Sequence, residues 1–227
     1  MLQFTRHTKA GSQPLSFSPS HLVIAGWAAR DEAAVKHHID ELAAIGVPPP
    51  SSVPLFYRGA ASLLTQSTSV EFLGPDSSGE IEPVIIGMDD GLWLTIGSDH
   101  TDRKAEAQGV ALSKQLCAKP VGTELWRLDD VVAHWDDLEL RAYATIDGTR
   151  HLYQDGKLAT LRPPSDLIPR YMQGKPQLAT GSVMFGGTLG AIGGVRPAAR
   201  FEMELNDPVL GRSMKHGYDV VQLPVIA

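Results

Sequence analysis

Glu80-Ile81-Glu82-Pro83-Val84-Ile85-Ile86-Gly87-Met88-Asp89-Asp90-Gly91-Leu92-Trp93-Leu94-Thr95-Ile96-Gly97-Ser98-Asp99 is the stretch on which the reading of this chain turns. Two short apolar runs, Ile81 to Gly87 and Leu92 to Gly97, flank Asp89-Asp90-Gly91. A tight turn between two β-rich runs predicts a hairpin. In a strand, residues two apart point to one face, with Cβ atoms about 7 Å apart. Glu80 and Glu82 therefore share a face, and Val84 and Ile86 continue it into the core. Adjacent carboxylates repel unless a positive charge lies between them. A hard divalent cation such as Mg²⁺ or Mn²⁺, which prefers oxygen ligands, meets that need. Two solvated acids at an exposed strand end are the plainer alternative. Asp99, just beyond the second strand, is a third oxygen ligand or, equally, a helix N-cap.

Outward from the hairpin, short strands dominate. Leu22 to Trp27 reads as a buried strand, followed by a helix capped by Asp31, with Val35, Ile39 and Leu42 on its apolar stripe and Gly46 at its end. Pro48-Pro49-Pro50 suggests a stiff linker, and hence a soft boundary between residues 1–50 and 51–227. Val53 to Tyr57, Val70 to Leu73, Leu138 to Ile146, His151 to Leu161, Val183 to Phe185, Phe201 to Leu205 and Tyr218 to Val221 are further predicted strands, with a hairpin turn at Asp147-Gly148. Helices are expected over Thr101 to Leu116 and near Asp166 to Met172. Many strands and few helices predict an α+β fold.

Composition narrows the function. The 227 residues carry a net charge of −6 and no basic run, against a nucleic-acid partner, whose phosphates demand a positive patch. No apolar stretch is long enough for a membrane span. A single cysteine, Cys117, excludes an internal disulfide, and Met1 to His7 lacks the apolar core of a signal peptide. A cytoplasmic location is the expectation. The eight histidines show no zinc-ligand spacing.

Two more features carry candidate chemistry. In His38-Ile39-Asp40-Glu41, His38 and Glu41 lie at i and i+3 on one helix face, as a general base with its orienting carboxylate or as an ordinary surface pair. Gly186-Gly187-Thr188-Leu189-Gly190-Ala191-Ile192-Gly193-Gly194 holds five glycines in nine residues, which implies close backbone approach to a ligand or to another loop. It is neither a P-loop nor a dinucleotide fingerprint.

Taken in order, these features resemble the fumarylacetoacetate hydrolase superfamily. The matching elements are Gly26, His38-Ile39-Asp40-Glu41, Pro54-Leu55-Phe56-Tyr57-Arg58, Glu80-Ile81-Glu82, Asp99-His100-Thr101-Asp102-Arg103, Lys114 and Gly187 to Gly193. The resemblance spans about residues 20 to 221 and points to a bacterial group of unassigned function. It departs from the family pattern at Pro83, at Arg58 where lysine is common, at Leu189 where proline is usual, and in a short span between Glu82 and Asp99.

The resemblance implies a mixed β-roll with flanking helices and a small N-terminal segment bearing a lid-like helix, assembled as a homodimer. It implies Mg²⁺ or Mn²⁺ on Glu80, Glu82 and Asp99, gripping a small oxo acid or 1,3-dicarbonyl. His38 and Glu41 would activate water for C–C bond hydrolysis, with Lys114 stabilising the departing enolate. Thr188 and Gly187 would hold the substrate carboxylate, with Arg58, Tyr153 and Gln154 aiding recognition. Decarboxylation, tautomerisation and hydration on the same scaffold are the alternatives, and a non-catalytic small-ligand-binding relative is one of another class.

Overall fold

The computed structural model describes residues 1–9, 11–44 and 49–226, with the side chains at positions 34, 37, 38, 41, 42 and 44 outside the described set. In chain order the elements are β1 (Leu2–Thr8), β2 (Gly11–Phe17), β3 (His21–Gly26), α1 (Glu32–Ala44), β4 (Leu55–Gly59), β5 (Ser69–Leu73), β6 (Ile81–Met88) and β7 (Gly91–Ser98). Then follow α2 (Arg103–Glu106), α3 (Val110–Leu116), β8 (Glu124–Arg127), β9 (Glu139–Ile146), β10 (Thr149–Lys157), α4 (Pro164–Tyr171), β11 (Ser182–Phe185), β12 (Arg200–Asp207) and β13 (Arg212–Leu223). Two-residue strands at Leu64–Thr65, Ser77–Ser78, Thr101–Asp102 and Lys119–Pro120 stitch the connections.

The predicted hairpin is β6–β7, paired antiparallel from Ile81 opposite Ser98 to Met88 opposite Gly91. It lies in the middle of an eight-stranded mixed sheet of order β2-β1-β8-β7-β6-β11-β3-β4. Nearly every residue of β6 is buried because both faces of this sheet are covered, which explains its continuous apolar run. Ile81 and Ile85 face one core cluster, shared with Leu140, Phe201, Met203 and Tyr218 of a second, five-stranded sheet of order β10-β9-β12-β13-β5. Val84 and Ile86 face a second cluster. There Leu2, Phe4 and Phe17, from one end of the strand order, meet Leu22 and Ile24 from near the other end, so the sheet must curl on itself as a roll. The fold class is α+β, as expected. Strands on both sides of residue 50 pair within the same sheet.

Several local expectations shift. The β1–β2 hairpin and β8 had no predicted counterpart. Leu2 and Phe4 alternate with Gln3 and Thr5 over too few residues to register as a period. The single helix expected over 101–116 is two, separated by Gly109. Asp102, rather than Asp99, caps the first of them, accepting from Ala105 N at 2.8 Å. The strand predicted to run to Leu161 stops at Lys157 and gives way to a 3₁₀ turn. Asp31 begins α1 as predicted, accepting from Ala33 N at 2.9 Å. Val35 is buried, whereas the Leu42 side chain and Gly46 lie outside the described residues. Among the described residues no helix is long and apolar enough to cross a membrane.

Candidate metal centre and cleft

The hairpin register sets the centre. Glu82 stands opposite Gly97, and Asp99 N donates to Glu80 O at 3.0 Å, which brings the carboxylate just past β7 beside the two at the head of β6. One carboxylate oxygen from each of Glu80, Glu82 and Asp99 lies within 4.8 Å of the others. Glu82 and Asp99 are buried, and Glu80 is partly exposed. Gly97 leaves room for Phe185 and Val84 to pack against the hairpin: a Cβ there would stand 2.8 Å from the Phe185 ring and 2.9 Å from Val84.

A polar chain supports the hairpin from behind. Ser98 Oγ accepts from Glu80 N at 3.2 Å and from the Tyr218 hydroxyl at 2.8 Å. With its proton given to Ser98, Tyr218 accepts from His100 Nδ1 at 2.8 Å, which leaves Nε2 to accept from Ser77 Oγ at 2.9 Å. The His100 ring stacks on Phe72 with centroids 3.7 Å apart. Burial, then the Lys119 and Arg103 charges, push His100 down to about 3, so it is a neutral structural residue.

Three cations balance the carboxylates. Lys114, from α3, pairs closely with Asp99 Oδ2 and lies 3.9 Å from Glu80. Lys119, fully buried, stands 3.1 Å from Asp99 Oδ1. Arg103 bridges Glu80 and Glu106, each at 3.0 Å, and donates to Ser78 Oγ at 2.7 Å. Burial pushes the Asp99 pKa upward, but the two lysines overcome it and hold Asp99 below the usual carboxylate range. Glu82 goes the other way: burial, then the charge on Asp99, raise it well above that range. Burial works against the charge on Lys114, yet Asp99 and Glu80 keep its ammonium firmly protonated.

The glycine-rich loop closes the centre. Gly187 N donates to Glu82 Oε2 at 2.8 Å, and Thr188 Oγ1 donates to Ile81 O at 2.7 Å. At φ +94°, with the Ala28 Cβ 2.7 Å from where its own would be, position 187 requires glycine. Gln154, on β10, binds both partners: its oxygen accepts from Ile81 N at 3.0 Å and its amide donates to Thr188 Oγ1 at 2.8 Å. A cleft of about 1060 Å³ opens beside the triad. Glu80, Glu82, Asp99, Lys114, Tyr153, Gln154, Gly187 and Thr188 all line it, so the structure assembles eight of the residues singled out in the sequence.

Arg58 stands apart from these eight. It is not among the described residues lining the cleft. Its neighbour Tyr57 lines it, and strand alternation turns Arg58 to the opposite face of β4. There its guanidinium donates to Leu22 O at 3.2 Å and Tyr171 Oη at 3.4 Å. Gln154 is fully buried and holds the loop to β6. His38 and Glu41 belong to α1, whose Val35 lines the cleft, but their side chains lie outside the described residues. Arg103 and Lys119 are members of the centre that sequence reasoning did not assign. Arg103 stood inside the quoted Asp99 to Arg103 segment. Lys119 gave no signal, because its burial arises only when 119–120 pairs with 64–65.

Residues 25–218 match the family model described as a protein of unknown function, DUF2848. The chain belongs to this family. No curated protein matches it significantly in sequence. Among solved structures it is similar to Cg1458 with inhibitor, at 20% identity over 94% of this chain and 81% of that one, TM-score 0.66. The yeast protein ynq8, a fumarylacetoacetate hydrolase family protein, matches at 17% identity over 92% and 95%, TM-score 0.62. A 2-keto-3-deoxy-D-arabinonate dehydratase complexed with magnesium and 2,5-dioxopentanoate matches at 12% identity over 96% and 79%, TM-score 0.62. At these identities the likeness establishes the fold, that of fumarylacetoacetate hydrolase family proteins.

The residues present fit a divalent metal. The donors are three carboxylates converging from a rigid hairpin, the hard-oxygen set that Mg²⁺ and Mn²⁺ prefer. Glu82 is buried with a raised proton affinity and one hydrogen bond to its carboxylate, a state that a bound cation would reverse.

Proposed function

We propose that this chain is a divalent-metal-dependent enzyme of the fumarylacetoacetate hydrolase type that hydrolyses a C–C bond in a small oxo acid or 1,3-dicarbonyl. The observation that supports it is the convergence of Glu80, Glu82 and Asp99 within 4.8 Å at one end of a cleft large enough for such a substrate. Glu80, Glu82 and Asp99 would hold Mg²⁺ or Mn²⁺. When bound, the ion supplies a Lewis acid that polarises the substrate carbonyl.

The remaining roles fall to the chain itself. Lys114 places a permanent positive charge beside the triad, where negative charge grows on the departing enolate oxygen. Lys119 and Arg103 fix Asp99 and Glu80 in position. Gln154 and the Thr188 hydroxyl lock the 187–190 loop to β6, so that the loop backbone forms one wall of the site for the substrate's carboxylate. His38, oriented by Glu41, would take the proton from water, and α1 would act as the lid that carries it. A homodimer in the cytoplasm completes the proposal, checked for its oligomeric state by light scattering.

Decarboxylation, tautomerisation and hydration would use the same carboxylates without the water-activating pair. The dehydratase with this fold keeps that reading in view. Calorimetric titration of Mg²⁺ and Mn²⁺ into chelator-stripped protein, beside the E80Q/E82Q double variant, is the test. One equivalent bound by the wild type and none by the variant is expected. Binding by neither removes the metal mechanism and leaves a non-catalytic ligand-binding role. His38→Ala that retains the metal and loses turnover supports hydrolysis; retention of both favours the reactions that need no activated water.

A further inference from the structure

The charges around the cleft are segregated by segment. Its described lining comes from three stretches, 25–57, 76–114 and 153–197. Every charged side chain in it belongs to the middle one: Asp76, Glu80, Glu82, Asp99 and Glu106 against Arg103, Lys104 and Lys114. The other two stretches bring apolar and aromatic groups, with Thr188 and Gln154 already engaged by each other and by Ile81.

The apolar wall can be followed away from the triad by contact. Gly187 holds Glu82, and Ala28 packs directly behind Gly187. Next to Ala28 is Trp27, which lines the cleft at φ +59°. A bulky residue in the left-handed region is strained, and the surrounding structure must hold it there. Trp27 Nε1 donates to Tyr57 Oη at 3.4 Å, which brings these two side chains together. Val35 of α1 continues the wall, and Leu189 and Val195 approach from the glycine-rich loop. Of the three cations, Arg103 is engaged by Glu80, Glu106 and Ser78, and Lys114 by Asp99 and Glu80. Lys104 is exposed.

We infer that the substrate carries its anionic, metal-seeking head at one end only, and that its distal substituent is a neutral branched or aromatic group lodged against Trp27, Tyr57 and Val195. Resting on the proposed function above, this excludes substrates with a second carboxylate at the far end. Such a group would leave water for an apolar wall whose described residues offer it no cation. An apolar group gains by burial there.

The test uses four 2-oxo acids that share one head: pyruvate, 4-methyl-2-oxopentanoate, phenylpyruvate and 2-oxoglutarate. Their affinities are measured by calorimetry on the wild-type protein in saturating Mn²⁺. The expected order has the branched and aromatic acids about tenfold or more tighter than pyruvate, and 2-oxoglutarate no tighter than pyruvate. Val195→Arg, a change at an exposed position, should raise the affinity of 2-oxoglutarate relative to that of pyruvate. If pyruvate binds and 2-oxoglutarate is the tightest in the wild type, or all four bind alike, this inference is overturned and the oxo-acid reading stands. Failure of all four, pyruvate included, would overturn both.

Discussion

At the scale of single residues, Lys114 decides how the triad behaves. Its ammonium and a divalent cation seek the same oxygens of Asp99 and Glu80. Lys114→Met would leave buried carboxylates with less positive charge to face. Loss of one member of a buried ion pair costs about 3–5 kcal/mol when nothing replaces it, and Lys119 beside Asp99 should hold the cost near the lower end. In chelator the variant should therefore unfold at clearly lower urea than the wild type. In Mn²⁺ the gap should narrow, because the bound cation takes over the neutralisation. Urea midpoints in both conditions check this, and an unchanged gap would show that lysine and metal do not share oxygens. The carboxylates themselves were legible in the sequence, since i, i+2 spacing on a strand dictates a shared face. Arg58 was not, because alternation says only that it lies opposite Tyr57, and which of the two faces the cleft is set by the pairing of β4 with β3.

At the scale of elements, the turn between β12 and β13 depends on Asp207. This fully buried carboxylate accepts from Val209 N at 3.2 Å, Leu210 N at 3.0 Å, His134 Nε2 at 3.0 Å and Arg212 Nε at 3.2 Å. Burial raises its pKa, but these donors overcome it and hold it below the ordinary value. A carboxylate with a depressed folded pKa stabilises the fold above its unfolded pKa of about 4, and that contribution vanishes as pH falls through the folded value. Asp207→Asn should cost about 1.5–3 kcal/mol at neutral pH. The difference from wild type should shrink below about pH 4. Urea unfolding from pH 7 to pH 3 measures it, and a pH-independent difference would refute the assignment. Asn206-Asp207-Pro208 was readable as a turn, and three of its donors are local, whereas the fourth, His134, stands 73 residues away in sequence. The helix over 101–116 failed for a related reason. The local pattern of small apolar residues was helical, but Asp102 and Gly109 punctuate it, and the chain there must also place Arg103 and Lys114 on the centre.

At the scale of the whole molecule, the eight-stranded sheet joins the two ends of the chain's first half. β1 pairs in parallel with β8, so residues 2–8 are built into the sheet beside 124–127. Removing residues 1–20 would uncover β8 as an edge strand and the core partners of Leu2, Phe4 and Phe17. Three buried large side chains contribute about 1.5–3 kcal/mol each. The truncated protein is therefore expected to lose most of an ordinary domain's stability and its cooperative thermal transition together. Calorimetric melting would reveal this, whereas an unchanged transition would mean that the first hairpin is an appendage.

The sequence by itself determined the central hairpin, the α+β class, the paired acids at its head and the glycine-rich loop. The hairpin, the acids and the loop are each encoded locally, by strand periodicity, turn chemistry or glycine content, and the class follows from many strands and few helices along the chain. Only the tertiary structure decided which partners those residues meet. Lys119 reaches Asp99 because residues 119–120 pair with 64–65, Gln154 reaches Thr188 because β10 and the glycine loop meet over Ile81, and the cleft forms because three distant segments converge there, the charged groups among its described residues all coming from 76–114. Local chemistry sets what a side chain can do; the packing of non-local strands sets what it faces.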